Sequence, residues 1–92
     1  MSYTVVFRPA ARRDLADLPQ QAQAAVVGAA AALAERPRPV GAKALQGNWR
    51  GYYRVVVASV YRVVYSVEDR ALVVCVVRIK HRRDVYRSAP PR

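Results

Sequence analysis

The sequence predicts a small α+β domain in which two N-terminal helices pack on one face of an antiparallel-rich sheet, in the order β-α-α-β-β-β. A chain of 92 residues is long enough for one hydrophobic core. Its first half contains an alanine-rich stretch with helical spacing, and its second half contains three β-branched apolar runs. We therefore expect a single domain over residues 1–87, followed by a flexible tail over residues 88–92.

The first strand is predicted at residues 3–7, YTVVF, because β-branched and aromatic residues are typical of strands. Pro9 follows, and proline is suited to open a helix because the N–H that it lacks is not needed in the first turn. We expect the first helix over residues 9–18 and the second, after Pro19, over residues 20–36.

The second predicted helix carries Val26, Ala29 and Leu33 on one stripe. Such a stripe indicates that the helix lies against a flat apolar surface, and the many alanines allow a close approach to a sheet. Pro37 and Pro39 end this helix and begin a loop that is expected to reach about Gly51.

Three strands are predicted after this loop, at residues 52–58, 60–67 and 71–79. The connections between them are short, which favours antiparallel neighbours and therefore a meander. All three runs are apolar at both odd and even positions. This pattern is expected when helices cover one face of the sheet and the other face is at least partly sheltered.

The chain is strongly basic, with 16 Lys and Arg against 6 Asp and Glu and a net charge of +10. Such a field attracts nucleic acid, an acidic protein segment or an anionic membrane. Fourteen of the cations are Arg, which binds phosphate in a bidentate manner. A membrane surface fits least well, because no amphipathic basic helix is predicted.

Each of the three predicted strands carries a cation, namely Arg54, Arg62 and the pair Arg78 and Lys80. Side chains alternate between the two faces of a strand, so these cations can share a face only if the strands pair in a suitable register. The sequence does not give that register. Convergence into one phosphate-binding patch is therefore a hypothesis, and separate solvated cations on an open face are the alternative.

Several kinds of functional site can be excluded because the sequence lacks the residues that they require. The six acids are scattered, and one His with one Cys cannot form a zinc site, so we expect no metal or other cofactor. No glycine-rich phosphate loop occurs. Cys75 lies in an apolar run and is interpreted as a packed hydrophobe. The single cysteine and the absence of a signal-peptide pattern predict a cytoplasmic protein.

One chemistry remains, namely cleavage of RNA by its own 2′-hydroxyl, where the protein supplies cations and a proton donor. The segment at residues 81–87, HRRDVYR, holds His81, whose imidazole can donate or accept a proton, and Tyr86, which can donate a proton or stack on a base. A structural role is the alternative for each. His81 would then be a half-buried side chain at a strand end, and Tyr86 would pack the chain end onto the helices.

Four segments in this order and spacing resemble the RelE/ParE superfamily of bacterial toxins: KALQG at 43–47, YRVVY at 61–65, the VEDR turn at 67–70, and HRRDVYR at 81–87. The resemblance spans nearly the whole chain and implies a sheet with an N-terminal helical hairpin. It also implies a toxin held inactive by a partly disordered, often acidic antitoxin that wraps over it. RelE-like members cleave mRNA in the ribosomal A site without metal, whereas ParE-like members inhibit DNA gyrase.

The resemblance also implies roles for single residues. Arg62 matches the strand arginine that contacts the scissile phosphate, Arg82 or His81 matches the cation after the last strand, and Tyr86 matches the C-terminal tyrosine. RNA is expected to contact five further cations, Arg54, Arg78, Lys80, Arg83 and Lys43.

This chain differs from the family on the strand before YR. Family members often carry lysines there, whereas this chain has only Arg54. If Tyr53 and Val55 occupy the lysine positions, the family's general base is missing, and cleavage would be slow or would depend on His81.

We therefore interpret the chain as a ribosome-dependent, metal-independent mRNA endoribonuclease of the RelE type. Its expected partners are a RelB-like antitoxin, the ribosome and mRNA, with the toxin–antitoxin complex binding operator DNA through the antitoxin. Two alternatives stay open. One is a ParE-like, non-enzymatic gyrase inhibitor, and the other is a degenerate toxin that acts mainly as a partner of its antitoxin.

Overall fold

The computed structural model describes residues 2–81, and its elements follow the predicted order with one addition. The helices are α1 (Pro9–Ala16) and α2 (Gln20–Leu33). The strands are β1 (Thr4–Phe7), β2 (Lys43–Ala44), β3 (Tyr53–Val57), β4 (Tyr61–Glu68) and β5 (Val73–His81). Two helices and a mostly antiparallel five-stranded sheet confirm the predicted α+β class.

The strands form one sheet in the order β1-β5-β4-β3-β2. Strands β3, β4 and β5 are successive antiparallel neighbours, which is the meander expected from their short connections. Strand β1 runs parallel to β5 and pairs with it over Val73–Val76 only. The last strand therefore lies between the first strand and β4, and the second half of β5 extends beyond β1.

The segment predicted as a loop up to Gly51 contains an element that the prediction lacked. Strand β2 pairs with Tyr53 and Arg54 of β3, and a 3₁₀ turn follows at Gly47–Trp49. A strand of two residues has no periodic pattern, so the sequence could not distinguish it from the surrounding loop.

Both helices end before the predicted residue. Helix α1 stops at Ala16, because Pro19 disfavours helical backbone at the residue before it. Helix α2 stops at Leu33, where the chain tightens and the N–H of Ala34 donates to the carbonyl of Ala31 at 3.1 Å. Within residues 2–81, no helix is both long and apolar enough to span a membrane.

The main core lies between the helices and the sheet. Val26 and Leu33 of the predicted stripe are buried, and Ala29 packs against the same cluster. These side chains meet Val63 and Tyr65 of β4, which are fully buried. The expectation that the second helix lies against the sheet is therefore confirmed.

Tyr65 links this core to the chain that leaves α2. Its hydroxyl donates to the carbonyl of Pro37 at 2.7 Å, and its ring stacks on Tyr53 with the centroids 5.8 Å apart. Burial raises the pKa of Tyr65 to about 12. The phenol therefore stays protonated near neutral pH and keeps its role as a hydrogen-bond donor.

Arg38 ties the same loop to the turn between β4 and β5. Its guanidinium donates to both carboxylate oxygens of Asp69, at 2.8 and 3.2 Å, and its Nε donates to the Tyr53 hydroxyl at 3.0 Å. The hydroxyl of Tyr3, beside β1, donates to the same carboxylate at 2.7 Å. The hydrogen bonds from Arg38 and then Tyr3 lower the pKa of Asp69. These contacts connect the start of β1 and strand β3 to the turn between β4 and β5. Solvent weakens the ion pair because both of its members are exposed.

A second, smaller cluster shelters part of the face that the helices do not cover. Trp49 is buried there with Val64 and Val77, and Cys75 and Tyr52 pack against them. This cluster explains why the strands are apolar on both faces. Cys75 is half-buried in it as a packing residue, in line with the interpretation of its apolar surroundings.

Asp14 of α1 holds the part of β5 that β1 does not reach. Its carboxylate accepts the N–H of Ile79 at 2.9 Å, where a strand partner would otherwise bind. It also accepts Arg78 Nε at 2.9 Å and lies 3.3 Å from Lys80 Nζ. Only 9% of the Asp14 side chain is exposed. Burial alone would raise the pKa of Asp14, but the hydrogen bonds from Arg78 and Ile79 outweigh it and lower that pKa.

We expect Asp14→Asn to lower the free energy of unfolding by about 2 kcal/mol at pH 7, because hydrogen bonds to a charged group are lost. A lowered pKa in the folded state stabilises above the unfolded value of about 4, and this stabilisation is lost as the pH falls through the folded value. The difference between wild type and variant should therefore shrink below about pH 4.

Urea denaturation at pH 7 and pH 3 measures this difference. The control is Asp17→Asn, which alters an exposed acid near the end of α1. An equal cost for the two variants, or a cost for Asp14→Asn that does not change with pH, would contradict the assigned role of Asp14.

Candidate functional site

The register of the sheet decides which cations lie together. Arg62 of β4 lies directly opposite Lys80 of β5 on one side and opposite Val56 of β3 on the other. Residues directly opposite each other in an antiparallel pair point to the same face. Arg62 and Lys80 are thus neighbours on one face, a relationship that the sequence left open.

The same pairing rule places further cations on the face of Arg62 and Lys80. Val64 of β4 pairs with Arg54 on one side and with Arg78 on the other, and Arg54 pairs in turn with Lys43 of β2. Val64 belongs to the cluster of Trp49, so this face is the one opposite the helices. The cationic face is formed by Lys43, Arg54, Arg62, Arg78 and Lys80.

Arg78 and Lys80 are partly neutralised by Asp14. A one-residue irregularity between β4 and β5, at Val64 and Tyr65, leaves Val77 without a pairing partner in β4. Bulges of this kind bend a strand and redirect its side chains. Arg78, which follows Val77, reaches the free edge of β5 and hydrogen bonds to Asp14.

Arg62 differs from its neighbours in its hydrogen bonding. Its Nε is buried, and among residues 2–81 it has no hydrogen-bond partner. A buried donor without a partner costs free energy. Arg62 can recover that free energy if its side chain turns outward and Nε donates to an anion on the cationic face. Among residues 2–81, Arg62 is the residue that has a buried side-chain donor without a partner.

His81 lies at the end of β5, on the other side of the strand from Lys80. It pairs with Tyr61, and the two rings meet edge to face with their centroids 6.1 Å apart at 84°. Strand alternation thus directs His81 toward the helix side, away from Arg62. Three predicted site residues, Arg82, Arg83 and Tyr86, lie outside the residues that the structure describes.

Other titratable groups do not assemble into a metal site in the described part of the chain. Among residues 2–81, no three His, Cys, Asp or Glu side chains come close enough to hold a metal ion. The arrangement on the cationic face therefore supplies positive charge and hydrogen-bond donors, which suit phosphate groups or carboxylates.

Two features of this site were missed from the sequence. Asp14 occupies an ordinary helix position and has no motif that would mark its contact with β5. Trp49 had a weak signal, since a single Trp in a loop usually finds a hydrophobic partner, but its place on the cationic side of the sheet follows only from the fold.

Comparisons with known proteins agree with this geometry. The model of the family described as ParE toxin of type II toxin–antitoxin system, parDE, matches residues 5–86. The toxin RelG of Mycobacterium tuberculosis is 40% identical over 88 residues, which cover 95% of this chain and 99% of RelG.

Solved structures show the same fold. The toxin–antitoxin complex RelBE2 of M. tuberculosis contains a chain with a TM-score of 0.80 and 35% identity, and the match covers 89% of this chain and all of that one (100%). The intact E. coli RelBE complex contains a chain with a TM-score of 0.74 and 26% identity, and the match covers 87% of this chain and 96% of that one. The present chain therefore belongs to the RelE/ParE superfamily and is the toxin of a type II toxin–antitoxin system.

Proposed function

We propose that this toxin is an endoribonuclease that cleaves mRNA on the ribosome, without metal, and so inhibits translation. One observation carries the proposal. The strand register gathers Arg54, Arg62 and Lys80 on one face, and Arg62 has a buried donor with no partner among residues 2–81. The similarity to proteins named RelG and RelE supports it, since the family resemblance implies mRNA cleavage for RelE-like members.

In the proposed reaction the RNA supplies the nucleophile. Its 2′-oxygen attacks the adjacent phosphorus, the bond from phosphorus to the 5′-oxygen breaks, and a 2′,3′-cyclic phosphate and a 5′-hydroxyl result. Arg62 and Lys80 hold the non-bridging oxygens, whose negative charge grows in the pentacovalent transition state. Arg54 and Lys43 contact the neighbouring phosphates and keep the strand in place.

Two protons must also move, one from the 2′-hydroxyl and one to the leaving 5′-oxygen. Arginine cannot serve as the base, because it does not lose its proton in proteins. We assign the donor role to Tyr86, which gives its proton to the leaving 5′-oxygen and regains one from solvent. The proton of the 2′-hydroxyl passes to a water molecule beside the cationic face. Arg82 is assigned as a further phosphate contact, and Arg78 and Arg83 as RNA contacts. His81 packs against Tyr61 on the helix side, so we place it second to Tyr86 as a proton carrier.

The proposal includes the ribosome because the cationic face has many charged side chains but few that can accept a proton. Such a site depends on a substrate held with its 2′-oxygen in line with the bond that breaks, and a translating ribosome holds mRNA in a fixed conformation. The toxin would therefore work in the cytoplasm. A RelB-like antitoxin would wrap over it and join the complex to operator DNA.

A second candidate function is inhibition of DNA gyrase by contact. The family model that matches residues 5–86 is named for ParE toxins, which favours this alternative. In that case the cations would bind a protein surface, and no proton donor would be needed.

Arg62→Ala tests the leading proposal. Removal of one transition-state donor typically lowers the rate by about 100-fold or more, so cleavage of a reporter mRNA in a translation extract should fall by that amount. Primer extension measures the cuts, and a gyrase supercoiling assay runs in parallel. Arg70→Ala, in an exposed turn, is the control and should cleave like wild type. A folded Arg62→Ala variant with full cleavage, or blocked supercoiling with intact mRNA, would overturn the proposal.

The salt dependence of RNA binding offers a second test, with a single-stranded oligonucleotide as the probe. The logarithm of the binding constant should fall linearly with the logarithm of the salt concentration, by about 0.7 per phosphate contact. Arg54→Ala and Arg62→Ala should each reduce that slope by about 0.7, whereas Arg70→Ala should leave it unchanged. Binding that does not depend on salt would show that these cations do not contact phosphate.

A further inference from the structure

The cationic face carries an aromatic side chain to which the proposed reaction gives no role. Tyr52 immediately precedes β3 and packs in the cluster of Trp49 and Val64, on the side of the sheet that also carries Arg54. Trp49 is only 6% exposed, whereas Tyr52 is only partly buried. The remaining aromatic side chains among residues 2–81 pack in the main core, namely Tyr3, Phe7, Tyr53, Tyr61 and Tyr65. Within these residues, Tyr52 is therefore the aromatic ring that a ligand on the cationic face can reach.

The surrounding structure holds Tyr52 in place. Its carbonyl accepts the N–H of Leu45 at 2.9 Å, and its N–H donates to the carbonyl of Trp49 at 3.1 Å. The rings of Tyr52 and Trp49 meet edge to face, with their centroids 5.6 Å apart at 74°. Trp49 is fixed in turn by Val64 and Val77. A ring that is positioned in this way loses little conformational freedom when a ligand contacts it.

The ring of Tyr52 lies in line with the cations of the sheet. Lys43 of β2 pairs with Arg54, so the row of residues next to Tyr52 holds two cations. A strand rises by about 3.3 Å per residue, which places Tyr52 about 7 Å from the row of Arg54 and about 13 Å from that of Val56. Val56 pairs with Arg62. An aromatic ring, a pair of cations and Arg62 thus follow one another along β3.

This order suits a single strand of RNA. Proteins that bind single strands combine cations that follow the backbone with aromatic rings on which the bases stack. Here Arg62 would contact the phosphate at the cleaved bond, and Arg54 and Lys43 would contact a neighbouring phosphate. The base of that neighbouring nucleotide then reaches Tyr52. A purely acidic peptide would neutralise the same cations, but it has no flat ring to place on the tyrosine.

We propose that Tyr52 is a stacking platform for the base of a nucleotide that flanks the cleaved bond. The base lies on the accessible part of the tyrosine ring, and Trp49 supports that ring from the protein side. Stacking reads the size of a base and not its hydrogen-bonding edge, so this position of the mRNA favours purines over pyrimidines. The inference rests on the RNA substrate of the proposed function and adds a base contact to its phosphate contacts.

The test measures the affinity of the full-length toxin for a short single-stranded RNA by fluorescence anisotropy. Tyr52→Leu keeps an apolar side chain against Trp49 but removes the ring, and it should weaken binding by about 10-fold or more. The matched control, Tyr52→Phe, keeps the ring and should bind within threefold of wild type. The salt slope of Tyr52→Leu should equal that of wild type, because no phosphate contact is lost, whereas Arg54→Ala reduces the slope by about 0.7.

An RNA of the same length without bases is the second probe. Wild type and Tyr52→Leu should bind it equally, because the sugars and phosphates are retained. When single bases are removed in turn, the difference between the two proteins should vanish at one position. In the wild-type toxin, 5-iodouridine at that position should form a photo-crosslink to Tyr52, which gives a readout that does not depend on the folding of a variant.

Four results would overturn the inference: equal losses for Tyr52→Leu and Tyr52→Phe, a loss that persists on the RNA without bases, a crosslink that avoids Tyr52, or an equal loss of affinity for poly-glutamate. The last result would show that the ring serves an acidic protein partner. Weaker RNA binding by Arg54→Ala but not by Tyr52→Leu would contradict the stacking contact alone. Unchanged binding by both variants would contradict the RNA substrate of the proposed function as well.

Discussion

The structure depends on the position of β5 between β1 and β4. This strand joins the first strand of the chain to the meander, and Val74 and Val76 within it are fully buried. Because β1 is shorter than β5, the second half of β5 needs another partner, and Asp14 of α1 accepts its Ile79 N–H. The same carboxylate then holds Arg78 and Lys80. The placement of β5 between β1 and β4 thus determines how the strands pair and where α1 lies. It also determines the position of Arg78 and Lys80 in the site.

Positive charge is concentrated on the face of the sheet that the helices do not cover. The cationic face contains five of the sixteen Lys and Arg residues of the chain. The buried apolar side chains of Trp49 and Val64 lie beside them. A low-dielectric surface next to a charge strengthens its attraction to an anion. In the proposed function, RNA phosphates bind to the arginines of this face.

Much of this fold is predictable from local patterns, and much of the site is not. Pro9, Pro19 and Pro37 mark the helices, and the β-branched runs mark β3, β4 and β5, because these signals act within a few residues. The cations of the strands could also be identified in advance. Their convergence depends on register, and the irregularity opposite Val64 and Tyr65 changes which residues of β5 face Arg62. No local pattern encodes such a shift.

Long-range contacts explain the remaining differences. His81 follows the strand cations in the sequence, and strand alternation directs it to Tyr61 on the helix side. Asp14 is separated by 64 and 65 residues from Arg78 and Ile79, the two residues of β5 that donate hydrogen bonds to it. Interactions over such separations arise only from the packed structure, which is why a site distributed over several strands is harder to predict than a contiguous motif.

The central claim is that the protein supplies charge while the RNA supplies its own nucleophile. The most direct measurement replaces the 2′-hydroxyl at the cleaved position of a ribosome-bound mRNA by hydrogen and identifies the 3′ end of the product from unmodified mRNA. We predict no cleavage of the 2′-deoxy mRNA and a 2′,3′-cyclic phosphate on the product from the unmodified one. Cleavage of the 2′-deoxy mRNA at the normal rate, or a product with a 3′-hydroxyl, would contradict the claim.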